Sequence, residues 1–197
     1  MEIKELVRNF YEKKLIEFGN FKLTSGIFSP FYINLKGLIR YPDLMKITIQ
    51  KTYNLLKNKA KYDVVASIAT GGIPFASYFS CLYEIPMAYV RKEKRYHGTK
   101  QALEGNVNGK KVLLIDDVAT TGSSLITAIN VIRANNGEVE HAVVIVDREQ
   151  GANERLSEIG VTLHAILTAS QMFHILYDLG CITKETLETV VRYLRKE

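Results

Sequence analysis

"VLLIDDVATTG", residues 112–122, is the stretch from which the rest of the chain is read. Four apolar residues run into two adjacent carboxylates, Asp116 and Asp117, and then into small residues, two threonines and a glycine. The apolar run has the composition of a buried strand. Like charges side by side at its end repel each other, so the pair calls for a partner. A strand that passes through "ATTGSS" into a helix presents successive backbone N–H groups and a helix N-terminus. The hydroxyls of Thr120, Thr121, Ser123 and Ser124 lie beside them, and together these groups suit a phosphate. The carboxylates are wrong for the phosphate itself but suit a neighbouring sugar diol, whose hydroxyls donate to them. A magnesium ion is a second reason for the pair. An acidic turn followed by an ordinary helix cap is the bland alternative for the dipeptide taken alone.

Outward from this stretch the chain alternates. "DVVASIA" (63–69), "PMAYV" (86–90), "GKKVLLID" (109–116), "EHAVVIVD" (140–147) and "VTLHAIL" (161–167) read as strands. Helical patterns separate them over 72–83, 122–134 and 153–159, and two helices from Ser170 and Thr183 close the chain. Strands that are apolar throughout, with helices between them, predict a parallel sheet covered on both faces. Ligands of such sheets bind at the C-terminal strand ends, which places Thr70, Asp116 and Asp147 along one edge. Before this core, 2–18 reads as an amphipathic helix stopped by Gly19-Asn20. "FKLTSGIFSPFYINLKGLI" (21–39) reads as short strands and loops, and 43–59 as a helix with Asp43 as N-cap after Pro42.

The 197 residues, 47% hydrophobic and 24% charged, suit one globular domain with a sizeable core. No apolar run is long enough to span a bilayer and the N-terminus lacks signal-peptide features, so the expectation is a cytoplasmic protein with no membrane partner. Cys81 and Cys181 have no zinc-like spacing and read as reduced thiols, with Cys81 packed in a helix. A net charge of +5 and a pI near 9.1 allow nucleic acid or small polyanions as partners.

"VLLIDDVATTGSS" closely resembles the phosphoribosyl-diphosphate (PRPP) signature of the type I phosphoribosyltransferases. "FGNFKLTSGIFSPFYINLK" (18–36) resembles the base-recognition segment of the orotate phosphoribosyltransferases, "SIATGGIPFA" their diphosphate loop, "YVRKEKRYHGTKQALEG" their mobile catalytic loop and "VDREQGA" the site of their carboxylate-binding arginine. The resemblance implies an α/β fold with a central parallel sheet flanked by helices and a small N-terminal hood. It forms a single domain over 1–197, with about 1–40 as hood and about 60–170 as PRPP-binding core. It implies PRPP contacts from Arg91, Lys92, Thr70, Gly71 and Gly72. Further PRPP contacts come from Asp116, Asp117, Val118, Ala119, Thr120, Thr121, Gly122, Ser123 and Ser124. Magnesium is the cofactor, held mainly by PRPP with Asp116 or Asp117 as a protein contact. It further implies a homodimer in which loop 91–105 is shared between subunits, with no nucleic-acid partner.

Orotate is a planar anion. Its site wants aromatic faces, backbone amides for the pyrimidine edge and a cation for the carboxylate. Phe31 and Tyr32 offer the first, the backbone around Ser25 and Gly26 the second, and Arg148 the third, with Thr120 alongside. Arg95, Lys94 and His97 are the candidate catalytic groups of the loop. During transfer the bond from ribose C1 to diphosphate stretches, and cations fixed near the leaving group stabilise the transition state more than the ground state. Some relatives carry lysine where Thr24, Gly71 and Arg95 stand here, and a basic residue at Ile27, so the positions of the cations differ. A purine-base phosphoribosyltransferase and a PRPP-sensing regulator are the rival readings. The N-terminal segment speaks against the first, and the retained loop and Arg148 against the second.

Overall fold

A computed structural model describes residues 1–22, 28–91 and 102–195. The first helix, α1 (Ile3–Glu12), is shorter than its apolar pattern suggests. Lys14 turns to φ 54° and the Leu15 N–H donates to the Phe10 carbonyl, closing the helix. The chain then extends as β1 (Ile16–Lys22), paired antiparallel with β2 (Phe28–Ile33). Ile16 and Phe18 fit a period of two as well as a helix. Gly19-Asn20, which reads as a helix stop, is instead a bulge in β1 between Phe18 and Phe21. A 3-10 turn (Leu35–Arg40) leads into α2 (Pro42–Leu56). Pro42 occupies the first helical turn behind Tyr41, and no side chain caps the helix. Asp43 therefore sits inside the first turn, where its charge favours the helix dipole, and is not the N-cap.

The core sheet consists of β3 (Val64–Ile68), β4 (Met87–Val90), β5 (Leu103–Glu104), β6 (Lys111–Ala119), β7 (Glu138–Asp147) and β8 (Thr162–Thr168). Their spatial order is β5-β4-β3-β6-β7-β8. Every neighbouring pair is parallel except β4 with the two-residue β5, a strand too short to leave a sequence pattern. The crossovers are α3 (Ile73–Tyr83), α4 (Ser123–Ala134) and α5 (Ala152–Glu158), and α6 (Ala169–Asp178) and α7 (Lys184–Arg195) follow. Leu113, Ile115, Val143 and Ile145 point into a core under α2, α3, α6 and the hairpin, while Val112, Leu114, Ala142 and Val144 point into a second core under α4 and α5. This alternation is the parallel-sheet prediction realised.

The hood is joined to the end of the chain. Phe31 of β2 meets Phe173 of α6 at 4.7 Å and Tyr193 of α7 at 5.7 Å between ring centroids. Cys81 is exposed on α3 and does not pack. The thiols of Cys81 and Cys181 are both free. No helix among the described residues is long and apolar enough to cross a membrane.

Candidate active site

The site is built by a mismatch in strand length. On the β3 side the β6 ladder stops at Ser67 and Ile115; on the β7 side it continues through Asp116, Val118 and Ala119. Asp116 and Asp117 therefore lie within β6, on the step where it outlasts β3. Asp116 is only 7% exposed. Its Oδ1 accepts from the Asp117 N–H at 3.0 Å, and Asp117 Oδ1 accepts from the Val118 N–H at 2.9 Å. Burial, then the charge of Asp117, pushes the Asp116 carboxyl up to about 8, against the pull of Lys36.

The turn Thr70–Gly72 runs directly over this step. A Cβ on Gly72 would stand 2.7 Å from the Ile115 carbonyl oxygen and 2.8 Å from Asp116 Oδ1; one on Gly71 would stand 3.2 Å from Asp117 Oδ1. Gly72 is needed for this close approach to backbone, whereas at Gly71 the tightest contact is with the Lys36 side chain, whose Cε would lie 2.9 Å from a Cβ. Neither takes a positive φ, and Gly72 lies at −79°. Beneath the turn is an open cavity of about 140 Å³ bounded by Lys36, Gly71, Asp116, Asp117 and Ser124.

On the far side, Gly122 takes φ 75° and begins α4 with no side-chain cap. The first N–H groups of α4 are thus left for an external acceptor. Packing dictates glycine at 122, because a Cβ there would meet Leu156 Cδ1 at 2.9 Å. Arg155 of α5 donates to the Thr121 carbonyl and to Ser123 Oγ, both at 2.8 Å, and Thr121 Oγ1 lies 3.0 Å from that same Ser123 Oγ. Arg155 thus clamps the loop and brings positive charge to it. Thr120 is half-buried and Ser124 exposed on this rim, and Ala119 is buried beneath it.

Arg148 lies at the end of β7, its N–H bonded to the Ala119 carbonyl at 2.9 Å. Its guanidinium is 4.5 Å from the Phe31 ring centroid and donates to Ser29 Oγ at 3.2 Å, while Nε is buried with no partner among the described residues. Burial lowers its pKa, with the Tyr193 hydroxyl opposing. Phe31 is fully buried and its open face carries Arg148, so this ring supports the cation and does not offer a face to a planar ligand. Tyr32, the next residue along the strand, points the other way, is 41% exposed and packs on Phe21. The two rings thus do not line one site. Arg91 bonds Glu104 at 2.7 Å and lies over the Tyr89 ring at the base of the loop, while its Nε is buried with no partner among the described residues. Lys92, Lys94, Arg95, His97, Ser25 and Gly26 lie outside the described residues. Asp147 spends its Oδ1 on the Glu149 N–H. His141 and His164 meet at 3.2 Å across β7 and β8, near the start of β7 and away from this edge.

Lys36, Arg155 and Tyr193 were not readable as site residues. An exposed lysine in a short 3-10 turn, an arginine in a seven-residue helix and a tyrosine near the C-terminus carry no local signature. Only the fold brings them to the strand ends.

An uncapped helix start, a recessed acidic pair and a glycine turn on adjacent parallel strands give this α/β protein a site with the donors and acceptors that suit a sugar phosphate. Residues 38–178 match the phosphoribosyl transferase domain family. The chain is 39% identical over 192 residues to the orotate phosphoribosyltransferase of Sulfolobus acidocaldarius, covering 98% of this chain and 97% of that one. The structure of an orotate phosphoribosyltransferase from Aeropyrum pernix superposes with a TM-score of 0.79 at 32% identity, over 90% of this chain and 99% of that one. That of the Leishmania donovani UMP synthase gives 0.88 at 31%, over 98% of this chain but 42% of the longer one. The chain belongs to the orotate phosphoribosyltransferase family, with the type I phosphoribosyltransferase fold.

Proposed function

We propose that this protein transfers the phosphoribosyl group of PRPP to orotate, forming orotidine 5′-monophosphate and diphosphate, a step of pyrimidine nucleotide synthesis. The observation that carries this reading is the pairing of the Asp116–Ser124 edge with Arg148 across the β6–β7 ends. A ribose 5-phosphate binder and a buried cation for a carboxylate share one strand edge. The relatives' likeness includes residues before 38, where the hood carries Ser29 and Phe31 against Arg148. A purine-base enzyme has no use for that cation.

The 5′-phosphate sits on the uncapped start of α4, and the ribose diol donates to Asp116 and Asp117. Orotate N1 bonds to ribose C1 as the C1–O bond to diphosphate breaks; the bonding pair leaves with diphosphate, and the N1 proton is released. Arg148 orients orotate through its carboxylate. Magnesium is the cofactor in this reading: the carboxylates of Asp116 and Asp117 border the open cavity and are the hard oxygen donors that suit it, with PRPP as its main ligand. When bound, the ion neutralises diphosphate charge. The loop 91–105 supplies Lys94 and Arg95 to the leaving group of a partner subunit in a homodimer. Its ends are closed by the Arg91 N–H bond to the Ala102 carbonyl at 2.8 Å and by the β4–β5 pair.

A panel of bases tests the reading. With PRPP and magnesium, diphosphate should be released with orotate and not with uracil, adenine, guanine or hypoxanthine. Turnover of a purine would replace the reading, and binding of PRPP with no turnover on any base would make the protein a sensor.

A further inference from the structure

The Thr70–Gly72 turn carries no basic side chain of its own, yet the cavity beneath it is not without a cation. Lys36 reaches it from a different part of the chain. Its Cε lies 2.9 Å from where a Cβ on Gly71 would be, and it borders the same cavity as Asp116 and Asp117. Its backbone is fixed: Leu35 and Leu38 are fully buried on either side, and a Cβ on Gly37 would strike Leu15 Cδ2 at 2.6 Å. The ammonium thus stands on a rigid turn. It forms none of the ion pairs found among the described residues, although it is close enough to pull on the Asp116 carboxyl. A hydrated point charge with three donors, held over a glycine turn and not paired with the acids below, is suited to phosphate oxygens. The 5′-phosphate loop has its own clamp in Arg155. That leaves the other anionic end of the substrate for Lys36.

We propose that Lys36 binds the diphosphate group of PRPP, supplying from the hood the cation that the Gly71 turn lacks. The assignment rests on the proposed function and deepens it. Gly71 and Lys36 then form one unit, in which the absence of a side chain at 71 makes room for the lysine from 36. The ammonium contacts the leaving group while the C1–O bond breaks, so it stabilises charge that grows in the transition state.

The test is calorimetric binding of inorganic diphosphate with magnesium, together with steady-state kinetics. Lys36→Ala should weaken diphosphate binding about tenfold or more and raise the PRPP KM in parallel, with the orotate KM changed little. Lys57→Ala, an exposed lysine beyond the end of α2, controls for overall charge and should match the unaltered protein. Lys36→Ala/Gly71→Lys should recover most of the loss, because removing one side chain vacates the space the other needs. Diphosphate binding by Lys36→Ala within twofold of the unaltered protein, or a loss equalled by Lys57→Ala, overturns the assignment. A folded double variant with no recovery overturns the placement over Gly71. Failure of the unaltered protein to bind PRPP overturns the proposed function along with it. Normal PRPP binding and transfer with an insensitive Lys36→Ala overturns the Lys36 assignment alone.

Discussion

Asp116 shows how much a single residue is asked to bear. In the unfolded chain its carboxyl has a value near 3.8; in the folded protein it rises to about 8, chiefly through burial and then through Asp117. The folded state therefore holds this proton more tightly than the unfolded state does. Its contribution to stability is complete below about pH 4 and is lost as the pH rises towards 8. Asp147, also raised by burial, acts in the same direction. Changing Asp116 and Asp117 to Asn should abolish transfer, and in ligand-free, metal-free buffer at pH 8 the Tm should hold or rise. The decline of Tm between pH 4 and 8 should also become shallower. A Tm that falls, or transfer that persists, would mean the pair is structural. For Arg148→Ala the orotate KM should rise roughly 30-fold or more and the PRPP KM little, since losing a desolvated charge-assisted contact costs about 2–5 kcal/mol; equal effects on both substrates would make Arg148 a buttress for the hood. The positions of both residues at adjacent strand ends were legible because each follows a continuous apolar strand in sequence. Phe31 was misread because a strand's two faces cannot be assigned without knowing what packs on each, and Phe173 and Tyr193 are far away in the chain.

Among the elements, the strands of the core were readable because buried parallel strands are continuously apolar. In the hairpin, β2 falls within the segment read as short strands, but most of β1 was hidden, since Leu15, Ile16 and Phe18 extend the helical pattern of α1 without a break and the φ of Lys14 separates the two. The difference in length between β3 and β6 was equally hidden, because strand ends depend on which neighbour is paired. The segment between Arg91 and Ala102 carries its own prediction. If it completes the site of the partner subunit, a variant with Lys94 and Arg95 changed to Ala and a variant with the acidic pair changed to Asn should complement each other. Random exchange makes half the dimers mixed, each with one intact site, so mixing equal amounts should restore about a quarter of wild-type activity. With exchange confirmed by mass-tagging one variant, no recovery would place the loop in its own subunit's site.

Taken whole, the molecule has a sheet that delivers three strand ends to one edge and a hood that brings Lys36, Ser29 and Phe31 to the same edge. The hood is held there by α6 and α7, so the base-recognition segment at the start of the chain depends on helices at its end. That long-range dependence is what no local reading could supply, although the order of the strands and the edge that bears the site followed from their alternation with helices. The central claim is group transfer at that edge, and product stoichiometry tests it most directly. Incubation with PRPP, magnesium and orotate should yield orotidine 5′-monophosphate, identified by mass, and diphosphate in a one-to-one ratio. Diphosphate appearing without the nucleotide, with ribose 5-phosphate in its place, would contradict the account.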